Sequence, residues 1–248
     1  MNVESRQRVG IISDMLTSNQ RRLSHMAQPE AEVAVRYIPM KGVSGDYYDL
    51  LPLHEEKMGL AVGDVCGKGI GAAFLTASLC TNLRAQVQMG SMTSGELLSR
   101  LNRLVYRDTP MHQFVTISYG VWDAGRHTFT YSNAGHPPVL HYQAETGRVR
   151  KLDVGGIVLG VCEDMEYPTA SVSLGAGDAL VLYTDGITEA SNSDDEVFGV
   201  ERLGDVVAEH GEEPSEELAA AIMDSASQFS CQGWQDDVTL MVVKRATA

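Results

Sequence analysis

The sequence predicts an α+β chain, and three observations carry the assignment. Short alternating or wholly apolar runs recur from residue 31 onward, each closed by glycine, proline or asparagine. Helical periodicity appears at 69–89, about 95–107, about 200–210 and 214–229. The chain of 248 residues is long enough for one large domain or two small ones with a substantial core.

Residues 1 to about 27 read as a polar helix with one apolar seam. Val9, Ile12, Leu16, Asn19, Leu23 and Met26 advance in steps of three and four, the spacing of coiled-coil core positions. Such a seam suits a partner, a second copy, or the helix's own domain. Gln28-Pro29-Glu30 breaks the pattern, dividing an amphipathic helix over 1–28 from a larger domain over 29–248. Ala31 to Met40 then alternates as a strand, and Tyr47 to Leu53 as another. Met58 to Val62 is apolar and runs into a glycine-rich turn, after which a helix opens at about Gly69, with Ile70, Phe74, Ala77 and Val87 near one face. Thr93 or Ser94 caps a second helix, which turns Leu97, Leu98, Leu101, Leu104 and Val105 inward. Strands follow at 113–122, 127–132, 139–143, 148–152, 171–174 and 178–183. Residues 191–199 read as an exposed loop, Pro214 takes a first-turn position, and Val238 to Val243 forms the last strand.

Charge and cysteine usage narrow the function classes. With 33 acids against 19 bases the formal charge is −14, which argues against a nucleic-acid surface and against anionic membrane. Four cysteines form no C-x-x-C pair, the pattern of reduced thiols in a cytoplasmic protein. No apolar run approaches bilayer length.

Four acids share one local grammar: Asp46, Asp64, Asp185 and Asp236 (with Asp237 beside it) each sit where a strand meets a turn. An acid at the end of a buried strand is costly unless something positive meets it. Asp64 therefore either caps the next helix or holds a cation or ligand. Converging carboxylates repel unless a cation intervenes, and oxygen donors without nearby His or Cys suit Mg²⁺ or Mn²⁺. Two such ions provide a water nucleophile and a clamp for phosphoryl displacement. Gly67-Lys-Gly69-Ile-Gly-Ala72 also invites a nucleotide reading. A dinucleotide fold needs an acid some twenty residues later, and a P-loop needs Ser or Thr where Gly69 stands; the chain supplies neither.

These segments resemble the PPM-type metal-dependent serine/threonine phosphatases, in the bacterial SpoIIE/RsbU-like branch. The matching stretches are Val43-Ser-Gly-Asp-Tyr-Tyr-Asp49, Gly63-Asp-Val-Cys-Gly-Lys-Gly69, Asn133-Ala-Gly-His-Pro-Pro138 and Gly155-Gly-Ile-Val-Leu-Gly160. Leu182-Tyr-Thr-Asp-Gly-Ile-Thr-Glu189, Phe198-Gly199 and Asp236-Asp-Val-Thr-Leu240 follow in family order. The resemblance implies an α-β-β-α sandwich of two antiparallel sheets flanked by helices. Asp64 would bridge two Mn²⁺ or Mg²⁺ ions with the Val65 carbonyl assisting. Asp185 and Asp236 would complete one ion's shell, and Asp46 would act through a bound water; Asp237 is the less favoured of its pair. The implied reaction is hydrolysis of phosphoserine or phosphothreonine on a protein, in this branch a phosphorylated anti-sigma-factor antagonist. An activator protein or a second copy would engage the N-terminal helix. The rival from another class is a binding adaptor that keeps the fold and not the chemistry.

The chain departs from the family pattern in places. Ser44 stands where many relatives have glycine, and Cys66 where eukaryotic members carry a histidine. Lys41 falls near a phosphate-holding arginine of those members. His136 is expected to order a hairpin-like turn, and Asn133 and Glu189 to brace loops near the site.

Overall fold

The computed structural model describes residues 31–40, 44–54, 56–67, 70–90, 92–109, 113–230 and 233–247. The helix expected over 1–28, Lys41, Lys68 and Gly69 lie outside them. In chain order the strands are β1 (Ala31–Ile38), β2 (Asp46–Pro52), β3 (Lys57–Val65), β4 (Val115–Asp123), β5 (Thr128–Ala134), β6 (Val139–Gln143), β7 (Arg148–Leu152), β8 (Gly155–Gly156), β9 (Ala170–Ser173), β10 (Ala179–Tyr183) and β11 (Val238–Arg245). The helices are α1 (Ile70–Gln88), α2 (Ser94–Asp108), α3 (Asp185–Thr188), α4 (Gly199–His210) and α5 (Ser215–Phe229).

Period-two side chains sort into two faces on each strand, and the faces build three cores. One sheet runs β1-β11-β10-β6-β7; the other runs β2-β3-β4-β5-β8, with β9 also pairing β5. Between the sheets lie Tyr48, Met58, Leu60, Val62, Trp122 and Phe129 from one and Leu180, Leu182, Met241 and Val243 from the other. The opposite faces take helices: Val181, Tyr183, Leu240 and Val242 meet Leu203, Val207, Leu218 and Ile222 of α4 and α5. Ala61, Val65, Val115 and Ile117 meet Leu75, Leu79, Leu83, Leu98 and Leu101 of α1 and α2. This is the α-β-β-α sandwich that the resemblance implied. No helix among the described residues is long and apolar enough to cross a membrane.

Local chemistry fixes the helix ends. Thr93 closes a capping box on α2, its hydroxyl accepting the Glu96 amide while the Glu96 carboxylate accepts the Thr93 amide. Lys244, buried on β11, donates its Nζ to the carbonyls of Gly211 and Glu213 just past α4, at 2.7 and 2.6 Å. Asp49 on β2 grips α1: Arg84 Nε and Nη2 reach its two oxygens at 2.7 and 3.1 Å, and the Tyr47 hydroxyl adds a bond of 2.8 Å.

Four expectations need correction. The inward face of α1 is Ala72, Leu75, Leu79 and Leu83, whereas Phe74 is 65% exposed. Small and apolar residues surround this helix, so its sequence carries little directional signal. Leu104 is only half-buried, and Pro214 is the N-cap of α5, one place before its first turn. The segment holding His136 is no hairpin: β5 and β6 belong to different sheets, so residues 135–138 cross between them.

Candidate metal centre

The chain crosses from the first sheet to the second between β1 and β2, and this crossing delivers Asp46. Asp46 opens β2 directly opposite Asp64 in the β2–β3 register. Its carboxylate is buried, and Oδ2 accepts the hydroxyls of Thr184 and Thr239 at 2.7 and 2.6 Å. Both threonines come from the other sheet's side, Thr184 just after β10 and Thr239 on β11, so Asp46 ties the two layers together. Burial pushes its pKa up to about 8; the two hydroxyls oppose the rise, and the charges of Asp64 and Asp237 add to it.

Asp64 and Val65 end β3, and Gly45 lies against both. A Cβ built on Gly45 would stand 2.9 Å from Asp64 Oδ1 and 3.0 Å from the Val65 carbonyl oxygen. Those two oxygens therefore face one shared space, which any side chain at position 45 would fill. The Gly45 carbonyl is held in turn by the Val65 amide at 3.2 Å and the Thr76 hydroxyl of α1 at 3.3 Å. Burial, with the charges of Asp185, Asp236 and Asp237 adding to it, raises Asp64 to about 6.

Asp185 begins α3, where its carbonyl accepts the Glu189 amide at 2.7 Å. Burial raises Glu189 too, followed by the charges of Asp185 and Asp236. Asp236 precedes β11 and accepts the Asp237 amide at 2.9 Å. Four separated stretches thus bring Asp46, Asp185 and Asp236 within reach of the charge of Asp64. Among the described residues, no three acidic, imidazole or thiol groups lie close enough to cage a metal ion as they stand.

The donor set suits a hard divalent cation. All five predicted donors are oxygens: the carboxylates of Asp46, Asp64, Asp185 and Asp236 and the Val65 carbonyl. The raised carboxyls of Asp46 and Asp64 show like charges held in a desolvated place, the strain that a cation relieves. The hydroxyls of Thr184 and Thr239 and the bare backbone of Gly45 are the parts that residue-by-residue reading missed. Thr184 and Thr239 sit inside the two motifs that carry Asp185 and Asp236, which is where a search for partners of Asp46 would begin.

The SpoIIE family model, described as Stage II sporulation protein E, matches residues 54–246. The chain belongs to the SpoIIE family. RsbU of Bacillus subtilis, named as a phosphoserine phosphatase, is 32% identical over 221 residues, covering 88% of this chain and 64% of its own length. The chain thus spans just under two thirds of that relative. The crystal structure of the RsbU and RsbW domains of Rv1364c from Mycobacterium tuberculosis superposes with a TM-score of 0.77 at 29% identity, over 88% of this chain and 60% of that one. The SiaA-PP2C domain of Pseudomonas aeruginosa has the same fold, with a TM-score of 0.81 at 19% identity and full coverage of both chains.

Within this SpoIIE-family domain, the second inter-sheet crossing is braced by Asn133. Its Oδ1 accepts the His136 amide at 2.7 Å, and its Nδ2 donates to the His136 carbonyl at 2.9 Å. His136 Nδ1 lies 2.9 Å from the Thr116 hydroxyl, and Thr116 is the register partner of Asp64 on β4. Burial lowers the His136 pKa to about 3, so its ring is neutral at physiological pH. The Thr116 hydroxyl it meets also reaches the Asp64 carbonyl, at 3.4 Å, which ties the crossing to the end of β3.

Proposed function

We propose that this chain is a protein phosphatase domain that hydrolyses phosphoserine or phosphothreonine on a signalling partner. Its cofactors are Mn²⁺ or Mg²⁺, two ions, held by Asp46, Asp64, the Val65 carbonyl, Asp185 and Asp236. The observation that carries the reading is the shared space between Asp64 Oδ1 and the Val65 carbonyl, with Asp64 raised by the charges of Asp185, Asp236 and Asp237. Bound there, divalent ions supply Lewis acidity and lower the pKa of a water that can attack phosphorus.

The chain's own residues prepare that place. Asp64 and Val65 present their oxygens from the end of a rigid central strand. Thr184 and Thr239 fix the Asp46 carboxylate and favour its charged form. The neutral His136 ring and Asn133 hold the crossing behind β4 without adding charge. Membership of the SpoIIE family and the printed activity of RsbU support the reaction class.

The partner in this reading is a phosphorylated domain like an anti-sigma-factor antagonist, met in the cytoplasm. In this reading residues 1–28 engage an activator or a second copy, and residues 29–248 are the phosphatase domain. Purified protein with Mn²⁺ is expected to release phosphate from p-nitrophenyl phosphate, and Asp185→Asn to lose at least 100-fold of that rate. Parent-level turnover in the variant refutes the assignment. Calorimetry that finds no Mn²⁺ site in the parent favours the adaptor reading.

A further inference from the structure

Asp237 shares the acidic neighbourhood, yet its side chain is committed elsewhere. Oδ1 accepts the Met40 amide at 2.7 Å, and Oδ2 accepts the Gly45 amide at 3.0 Å. Met40 lies beyond the last β1–β11 pair, Ile38↔Val238, and Gly45 lies before the first β2–β3 pair, Asp46↔Asp64. Neither amide therefore sits in a ladder, and one carboxylate serves both. Hydrogen bonds from amides to a charged carboxylate are shorter and roughly twice as strong as neutral ones. The main chain of Asp237 is engaged as well. Its carbonyl lies 2.0 Å from where a Cβ on Gly186 would stand, so α3 packs directly upon it. One residue thus joins the crossing that delivers Gly45 and Asp46 to the helix that begins with Asp185.

This arrangement has an electrostatic cost, since the charge of Asp237 adds to those that raise Asp46 and Asp64. A neutral residue of the same shape would remove that cost. It would also fail as a clasp: asparagine offers one acceptor oxygen and an NH₂ donor, so one of the two amides would be left unpaired. We propose that Asp237 is a positioning residue, a two-amide clasp that seats the β1–β2 crossing against the acidic centre, and that it is not a cation ligand. The ligand part of this statement rests on the proposed function; the clasp does not.

Amide hydrogen exchange by NMR on the metal-free protein tests the clasp directly. In the parent, the Met40 and Gly45 amides are expected to exchange at least tenfold more slowly than unstructured amides, although both lie outside strands. Asp237→Asn should accelerate at least one of them tenfold or more, and Asp236→Asn should leave both protected. Unprotected amides in the parent overturn the clasp, and this comparison stands should the variant fail to fold. Unchanged protection in a folded Asp237→Asn overturns it too. Calorimetric titration then separates clasp from ligand. Asp237→Asn should keep the parent's Mn²⁺ stoichiometry with about tenfold weaker affinity, whereas Asp236→Asn should lose an ion; a lost ion in Asp237→Asn overturns the proposal. If the parent binds no Mn²⁺, the proposed function fails while the exchange result still decides the clasp.

Discussion

Gly45→Ala is the sharpest single perturbation of the centre. Gly45 is absent from the glycines with positive φ, so its backbone admits alanine without torsional strain. The added methyl would lie 2.9 Å from Asp64 Oδ1 and 3.0 Å from the Val65 carbonyl oxygen. Ordinary contact for such atoms begins near 3.5 Å, so both are roughly 0.5 Å too close. The Asp64 carboxylate can rotate away; the Val65 carbonyl belongs to a paired strand and cannot do so alone. Functional groups tolerate misplacement of only about 0.5 Å, and 1 Å can cost about 100-fold in rate. Gly45→Ala is therefore expected to lose between about 10-fold and 100-fold in Mn²⁺-dependent phosphate release, with weaker Mn²⁺ binding by calorimetry. Stability should fall by about 1–2 kcal/mol, because overpacking costs about 1–3 kcal/mol and the loss of unfolded-chain entropy offsets about 0.4–1 kcal/mol of it. Parent-level turnover and Mn²⁺ affinity at an unchanged Tm would refute the shared-space argument.

Two further outcomes concern the scaffold. Arg84→Met leaves the buried Asp49 carboxylate with only the Tyr47 hydroxyl among the bonds described above, and should cost about 2–4 kcal/mol in urea unfolding. A loss under 0.5 kcal/mol would show that α1 is held by packing alone. Burial tends to raise Asp178, but His141 Nε2 at 2.8 Å and the amides of Ala144 and Gly175 outweigh it and hold its pKa below the usual range. A lowered folded pKa contributes stability that is complete above the unfolded value of about 3.9 and is lost as pH falls through the folded value. Asp178→Asn should therefore flatten the acid limb of the Tm–pH curve below about pH 4; an unchanged limb would contradict the pairing.

The strands were legible because alternation and turn residues are local signals, and most ends fall within two residues of those expected. The helix α1 was legible as a helix but not in its orientation: Phe74 suggested a face, while leucines 75, 79 and 83 hold the real one. The sheet to which a strand belongs is set by distant pairing. A reading of residues 133–138 therefore saw a turn where the chain crosses between layers. The acids proposed for the centre were named from their positions at strand ends and from the motifs around them. Their mutual influence, the hydroxyls that reach Asp46 across 138 and 193 residues, and the empty side of Gly45 exist only after folding.

The edge strand β1 has a mechanical consequence. It pairs with β11 on one side only, from Ala31 opposite Arg245 to Ile38 opposite Val238. Eight residues of extended chain span about 26 Å, so β1 works as a stiff tie rod lying along the sandwich. A load applied at Ala31 would be carried along this strand to Met40, two residues beyond Ile38, whose amide Asp237 Oδ1 holds at 2.7 Å.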